Sequence, residues 1–298
     1  IEDWSRDWAD YKKNYQATFT AQLLYPKIAD YEIMPWPERI YEGLYKTDPN
    51  SDKKERIPRH YSTQMQVMIN SLNQMPLSEN KLSGSEGVSV LMANSLMFQR
   101  FPTHAGYDDP QLANFYGQAL PFLKRGVPVK TVHIENVGYQ EALANTKVLL
   151  MTYSNMKPLD PKAHEHIANW VEAGGQLVYS GTDSDPFQTV QEWWNQDGRN
   201  FVAPSDHLFG LMGIQPGAME GQYKFGKGTV QILRIDPKEF ALKTDNSQKL
   251  LDAVQRRYEE SGAGKLKFKN NFYLQRGPFE LVAVLDESVN DDHYPVNG

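Results

Sequence analysis

The sequence predicts an α/β protein: an open, mostly parallel sheet between two helical layers, with a helical segment before it and a small β-rich part after it. Three observations carry this reading. Between about residues 84 and 240, short runs rich in Val, Leu and Ile alternate with amphipathic stretches of helical period, and strands separated by helices pair in parallel through crossovers. The breaks between these runs fall on Pro, Gly, Asp and Asn, which cap helices or turn the chain. At 298 residues the chain is too long for one small core, so about two domains are expected. The implied organisation is a helical segment over 1–76, an α/β domain over 84–240, and a helix leading into β structure over 241–298.

Trp4, Trp8, Tyr11, Tyr15 and Phe19 recur at the helical period, so residues 1–20 read as an amphipathic helix whose aromatic stripe needs a partner. Pro35 and Pro37 interrupt the next stretch, and 32–34 reads as a short strand running into a loop that holds Trp36. Residues 46–56 are polar and read as a solvated loop. Pro58 opens a helix over 59–74 with Tyr61, Met65, Met68, Ile69 and Leu72 on one face, and the Ser/Gly/Asn-rich stretch 76–87 is a linker. Residues 88–98 form an apolar run, a buried strand. Asp108 and Asp109 cap a helix over 110–125 that stops before Gly126. Strands follow at 129–134 and 147–152. Asp160 and Pro161 are the N-cap and first residue of a helix that stops at Gly174 and Gly175. A strand at 176–180, helical stretches at 190–195 and 207–212, and a strand at 228–235 complete the alternation, the pattern of a flavodoxin-like three-layer sandwich. The last part holds a helix over 246–260 bearing Leu250, Leu251, Val254 and Tyr258, then strands at 271–275 and 279–285. No internal repeat and no low-complexity segment is present.

Composition narrows the function. The chain is 40% hydrophobic and 23% charged, as ordinary soluble proteins are. Its net charge of −6 and scattered Lys and Arg argue against a nucleic-acid partner, which needs clustered positive charge, and leave a neutral ligand such as a sugar open. No apolar run approaches the roughly 20 residues that span a bilayer, so no membrane partner is expected. The first residues have no apolar stretch of the secretory-leader kind, and Ile rather than Met at position 1 implies sequence upstream. The chain has no cysteine, which removes disulfides, zinc–thiolate sites and thiol nucleophiles and leaves the compartment open. Aromatic residues, at 12%, offer faces for stacking on sugar rings, but they also fill cores.

The most unusual segment is 31–41, where Glu32, Trp36, Glu38 and Arg39 stand on a proline-stiffened backbone. An exposed Trp with carboxylates and an Arg makes a carbohydrate-binding edge; the alternative is a Trp packed in a core with Glu and Arg as a surface pair. Glu32 and Glu38 would form the two-carboxylate arrangement of glycoside hydrolysis only at the right separation, which sequence proximity does not supply. His133 and Glu135 fall on one face of a predicted strand near its carboxyl end, as an acid/base couple or a polar strand end. His164 and His166 are two apart, so their rings point about 200° apart on a helix, whereas a zinc pair needs a spacing of three or four; they read as surface histidines, and no metal is expected. Thr152-Tyr153-Ser154-Asn155 comes after a strand, where a nucleophile elbow would sit, without the flanking glycines that turn requires. Gly226-Lys227-Gly228 leads into a strand, which makes it a hairpin turn rather than a phosphate loop, and no cofactor is expected.

Residues 147–181 combine a buried strand, a Pro-capped helix ending Trp170-Val171-Glu172-Ala173-Gly174-Gly175, and a short strand ending in Gly181. With Gly226-Lys227-Gly228-Thr229-Val230-Gln231 later on, this stretch resembles the class I glutamine-amidotransferase-like domain that stands behind the catalytic barrel of β-galactosidase-type glycoside hydrolases, the trimerisation domain. The resemblance covers roughly 84–240. More weakly, 31–41 resembles the last strand and loop of a TIM-barrel glycosidase with 59–74 as its final helix, and the stretch from Gly277-Pro278-Phe279 to Asp286-Glu287-Ser288 resembles the start of a β-sandwich.

The resemblance implies a piece of a glycoside hydrolase acting on β-linked saccharides, with the amidotransferase-like domain shaping the active-site rim and holding a closed homo-oligomer, a trimer. It also implies two departures. Amidotransferases of this class use a cysteine with His and Glu, so glutaminase activity is expected to be absent. Barrel glycosidases carry their catalytic glutamates on the fourth and seventh strands, which the residues before 84 do not hold. The chain alone is therefore expected to be inactive, its catalytic residues unassigned, and Glu32 at most a sugar-binding group. Two rival readings stand beside this one: a structural or carbohydrate-binding module in which the aromatic face of 4–19 packs on 59–74, and a flavodoxin-like hydrolase with Ser154 and His133 within about 2.6–3.2 Å.

Overall fold

The computed structural model describes residues 8–32, 37–48, 50–98 and 112–285. Two compact units emerge. One is drawn from Ile1–Ser83 together with Asn271–Leu285, the other from Gly84–Asn270.

The first unit begins with α1 (Trp8–Leu23), α2 (Pro37–Tyr41), a small antiparallel pair β1 (Leu44–Lys46) and β2 (Lys54–Arg56), and α3 (Arg59–Gln74). Pro58 stands at the N-cap of α3, where its missing N–H costs no helical hydrogen bond. Tyr61, Met65 and Met68, spaced four and three apart, bury one face of α3 with Ile40, and Tyr11, Tyr15 and Phe19 of α1 pack on that cluster. Ile69, expected on the same face, lies off the stripe and is exposed. The stretch 46–56, expected as an open loop, closes into the β1–β2 pair; its strand residues Lys54, Glu55 and Arg56 are all exposed, so no apolar alternation marked them.

The second unit is a six-stranded sheet in the order β4-β3-β5-β6-β8-β7, formed by β3 (Val88–Met92), β4 (Val129–His133), β5 (Val148–Met151), β6 (Gln176–Ser180), β7 (Gly221–Phe225) and β8 (Gly228–Leu233). All neighbours pair in parallel except β7, which folds back on β8 through Gly226 and Lys227. Counted from β3, the parallel strands run 2-1-3-4-5, the flavodoxin-like order. Helices cover both faces. Leu149, Met151, Leu177, Tyr179, Val230 and Ile232 face Ile167 and Val171 of α7 (Lys162–Glu172) and Leu208 and Phe209 of α8 (Pro204–Leu211). Val148, Leu150 and Val178 face Phe122 of α5 (Ala113–Leu123) and Leu250, Leu251 and Val254 of α10 (Thr244–Glu260). Burial on both faces explains the continuous apolar run of β5, and β8 is likewise buried throughout although it carries Thr229 and Gln231. The protein is thus a mixed α/β fold with a mostly parallel sheet flanked by helices.

Several expectations are corrected. The run 88–98 is not one strand: β3 stops at Met92, and α4 (Ser95–Phe98) comes next. The caps expected at Asp108 and Asp109 lie outside the described residues. Residues 190–195 form no helix; a 3₁₀ turn at Pro186–Thr189 precedes irregular chain. The edge strand β7 and the short helices α6 (Gln140–Leu143) and α9 (Lys238–Leu242) went unread.

The chain closes with a hairpin, β9 (Asn271–Arg276) and β10 (Phe279–Val284), which belongs to the first unit. Arg276 anchors it. This guanidinium is 1% exposed and donates to the carbonyls of Pro76, Leu23 and Ile28 and to the Tyr31 hydroxyl, with no carboxylate among these partners. Ser78 and Asn80 add hydrogen bonds to the Gln275 carbonyl.

Candidate functional site

In open α/β sheets ligands bind beyond the carboxyl ends of the strands, at the point where the strand order reverses, here between β3 and β5. Side chains join these strand ends in sequence across the sheet. The carboxylate of Glu135, after β4, accepts from the Asn94 amide after β3 at 2.8 Å. Ser95 accepts from the Lys157 amide at 2.7 Å and donates to its carbonyl, tying β3 to β5. Lys157 meets the Asp185 carboxylate at 2.7 Å, tying β5 to the loop after β6. Ser154 donates to Asp236 at 2.9 Å, and Thr182 and Arg234 reach across from β6 to β8 through Asp236 and Asp183.

Local backbone geometry builds this belt. Asn155 and Asp183 turn the chain off β5 and β6 with φ of 57° and 55°, left-handed values that Asn and Asp adopt more readily than most residues. Gly181, at φ 140°, lets the chain pass close to Ser154: a Cβ there would stand 3.0 Å from the serine oxygen. Every residue from Met151 to Pro158 is buried. Asp185 caps the 3₁₀ turn by accepting from the Phe187 amide at 3.0 Å, and its second oxygen accepts from the Asn155 amide as well as Lys157. Burial lowers the pKa of Lys157, and Asp185 opposes that shift.

A second cluster lies between α7 and α8. His164, expected at the surface, is fully buried: its Nε2 shares a hydrogen bond of 2.6 Å with the Tyr153 hydroxyl, and its Nδ1 meets Nδ1 of His207 at 2.9 Å. The helix turns His164 inward with Ala163 and Ile167, while Glu165 and His166 face solvent, so the spacing of two separated the histidines as expected but sent one into the core. Trp193 packs edge-on against both rings and donates its indole N–H to the Pro158 carbonyl at 2.8 Å. Burial, with His207 second, lowers the pKa of His164 to about 3, and burial also lowers His207. Burial, then Asp183, raises Tyr153 well above its usual value.

This arrangement has a pH signature. A histidine whose folded pKa lies below its unfolded value of about 6.5 binds its proton more readily in the unfolded chain, so stability is complete above pH 6.5 and falls as pH drops toward 3. We expect the unfolding free energy from urea titration to decline by up to about 1.4 kcal/mol per pH unit below pH 6.5, and the decline to be flatter in His164→Gln.

Of the residues singled out in the sequence, Glu32 is exposed in irregular chain, Glu38 and Arg39 are exposed on α2, and Trp36 lies outside the described residues. Among the described residues no hydrogen bond or ion pair joins the side chains of Glu32, Glu38 and Arg39. The hydrolase pairing of Ser154 with His133 is not formed: the Ser154 hydroxyl donates to Asp236, and β3 lies between β4 and β5, two strand spacings or roughly 10 Å. His133 and Glu135 do not share a strand face, because Glu135 stands in the 3₁₀ turn Ile134–Asn136 and caps Asn94. Lys157, Asp183, Asp185 and Arg234 went unread. Their only sequence signal is position, one to six residues past a strand end. Among the described residues, no group of three or more His, Asp or Glu is placed to hold a metal ion.

The fold and this rim define a doubly wound α/β protein whose strand ends are laced together. No protein-family model matches the sequence, and no curated protein matches it. A distant structural neighbour is a glycoside hydrolase, the exo-β-1,4-mannosidase Op5Man5 from Opitutaceae bacterium strain TAV5, at 11% identity and a TM-score of 0.36. The match covers 71% of this chain and 40% of that one.

Proposed function

We propose that this chain is part of a glycoside hydrolase acting on β-linked saccharides, in which the α/β unit is a non-catalytic amidotransferase-like domain that supports assembly, as a homotrimer, and the active-site rim. The observation that carries the non-catalytic part is the belt along the carboxyl edge. Where an elbow nucleophile would stand, Ser154 is buried and spends its proton on Asp236, and Lys157, Asp185 and His164 are all committed to protein partners. A nucleophile needs an adjacent base and access to substrate; Ser154 has the Asp236 carboxylate beside it but is 4% exposed, so access is what it lacks. The chain has no cysteine to serve instead. The assignment to β-linked saccharides rests on the sequence resemblance of 147–181, and Glu32, Trp36, Glu38 and Arg39 remain the proposed carbohydrate-binding edge.

The test assays the 298-residue chain on aryl β-glycosides and on L-glutamine, beside the full-length gene product, and measures mass by light scattering. The chain alone is expected to turn over neither substrate, the full-length product to hydrolyse at least one β-glycoside, and the mass to be three times 34.1 kDa. Turnover by the chain that disappears in Ser154→Ala would return the serine-hydrolase reading. A full-length product inactive on every glycoside would favour the structural or carbohydrate-binding module, for which the packing of α1 on α3 is the supporting observation. A mass of 34.1 kDa would remove the assembly role.

A further inference from the structure

We propose that the His164–His207 pair is an acid-operated latch that holds the loop between β6 and α8, through Trp193, over the buried segment that comes after β5. The loop, 181–203, carries no regular element beyond one 3₁₀ turn. Loops longer than about 15 residues without their own secondary structure are uncommon and usually carry function. It is pinned at two places. At its start Asp185 pairs with Lys157. Further on, Trp193 seats against both imidazoles at 5.4 and 5.2 Å and hydrogen-bonds to Pro158, while Phe201 packs edge-on against His207 at 5.3 Å.

The second anchor depends on proton count. A hydrogen bond between two Nδ1 atoms needs one donor and one acceptor, so at most one of the two nitrogens carries a proton. With both rings neutral, one proton occupies each link from Tyr153 to His164 to His207. One added proton is tolerated, because a protonated His207 still donates to a neutral His164. A second makes both Nδ1 atoms donors and both rings cationic, and the contact cannot persist. The groups facing the pair reinforce this. Tyr153 faces His164 from the β5 segment, with Asp183 acting on that tyrosine; Arg199 from the loop adds positive charge beside His207, and Glu165 of α7 is the carboxylate that opposes it. Acid therefore parts α7 from α8 at this point and removes the surface on which Trp193 rests. The Lys157–Asp185 anchor contains no imidazole, so the loop opens at Trp193 first and stays tethered at Asp185. The half-buried ring of His207 is the way in for the proton.

The experiment tracks hydrogen exchange of the intact 298-residue chain from pH 7 to pH 4, corrected for intrinsic rates, with tryptophan emission alongside. Residues 186–203 are expected to lose protection by about ten-fold or more while β5, β6 and β8 keep theirs, and His207→Gln, neutral throughout, is expected to hold the loop closed. His166→Gln, which alters an exposed histidine on the same helix, should open as the parent does. The proposal is overturned if loop and strands lose protection together, if His207→Gln opens at the parental pH, or if His166→Gln abolishes opening. Should the glutamine variant fail to fold by far-UV circular dichroism, His207→Phe, which keeps an aromatic ring against Trp193 and cannot titrate, supplies the same reading.

Discussion

Asp185→Ala is expected to destabilise the α/β unit by about 3–5 kcal/mol, the cost of leaving a buried charge without its partner. The Lys157 side chain is 2% exposed and that of Asp185 5%, so solvent cannot take over the lost contact. The same carboxylate accepts from the backbone amides of Asn155 and Phe187, and both lose an acceptor. Without Asp185 only the weaker pull of Asp183 and Asp236 opposes the burial that already lowers the pKa of Lys157, so the lysine sheds its proton still more readily in the folded state than in the unfolded chain. A lysine with a depressed folded pKa gains stability as pH rises toward its unfolded value of about 10.4, so the deficit of Asp185→Ala should shrink between pH 7 and 9.5. Lys157→Met combined with Asp185→Asn removes both charges and keeps an acceptor for Phe187. It is expected to cost less than the sum of the single changes. Urea unfolding of the parent, Asp185→Ala, the two single changes and the double variant measures this, and a deficit for Asp185→Ala below about 1 kcal/mol would show that the pair does not hold the rim.

Arg276→Met is expected to cost about 3–5 kcal/mol, confined to the unit that contains the closing hairpin. Removing the guanidinium takes the donor from the buried Leu23 carbonyl and from the carbonyls of Pro76 and Ile28, and leaves the Tyr31 hydroxyl with only its bond to Ile28. Arg276→Lys keeps the charge but replaces a planar fork with a point donor, so it should recover only a minority of the loss. Hydrogen exchange should rise in residues 23–31 and 271–284 while β5 and β6 stay protected. Equal loosening of both units would contradict the local role, and so would full rescue by lysine. Because Tyr31 immediately precedes Glu32, the same substitution is expected to loosen the start of the proposed carbohydrate-binding edge.

How much was legible in the sequence depended on burial. β5, β6 and β8 are sheathed on both faces, so Val148 to Met151, Gln176 to Ser180 and Gly228 to Leu233 read as continuous runs and were placed to within about two residues. The α7 helix was legible because Asp160 supplies a side-chain cap to the Lys162 amide and Gly174 takes φ of 126°. β2 was not, since its residues are all exposed and show no hydrophobic period; β1 spans only three residues, and β7 alternates, with Tyr223 and Phe225 packed on the core, but over only five residues. The rim was illegible for a different reason. Asp183, Asp185, Arg234 and Asp236 are ordinary charged residues in loop sequence, and only the strand order brings them to Lys157 and Ser154. His164 shows the same limit within one helix: the period set its direction relative to His166, but which direction was inward depended on α8.

The first unit is discontinuous along the chain, because Arg276 and the hairpin around it belong with residues that precede Ser83. A ribosome delivers residues 84–270 between the two halves. The α/β unit has all of its strands once β8 has emerged, and its last helix with α10, so it can condense while the earlier segment still lacks the side chain that gathers Leu23, Ile28 and Pro76. Until then the segment's apolar stripe has only its local partners, and the final assembly must close a loop of the whole intervening unit. Prefolding of that unit shortens the effective loop and lowers the entropic cost of the last step. Synthesis order therefore lets the α/β unit fold first and makes the completion of the discontinuous unit entropically cheaper once it has.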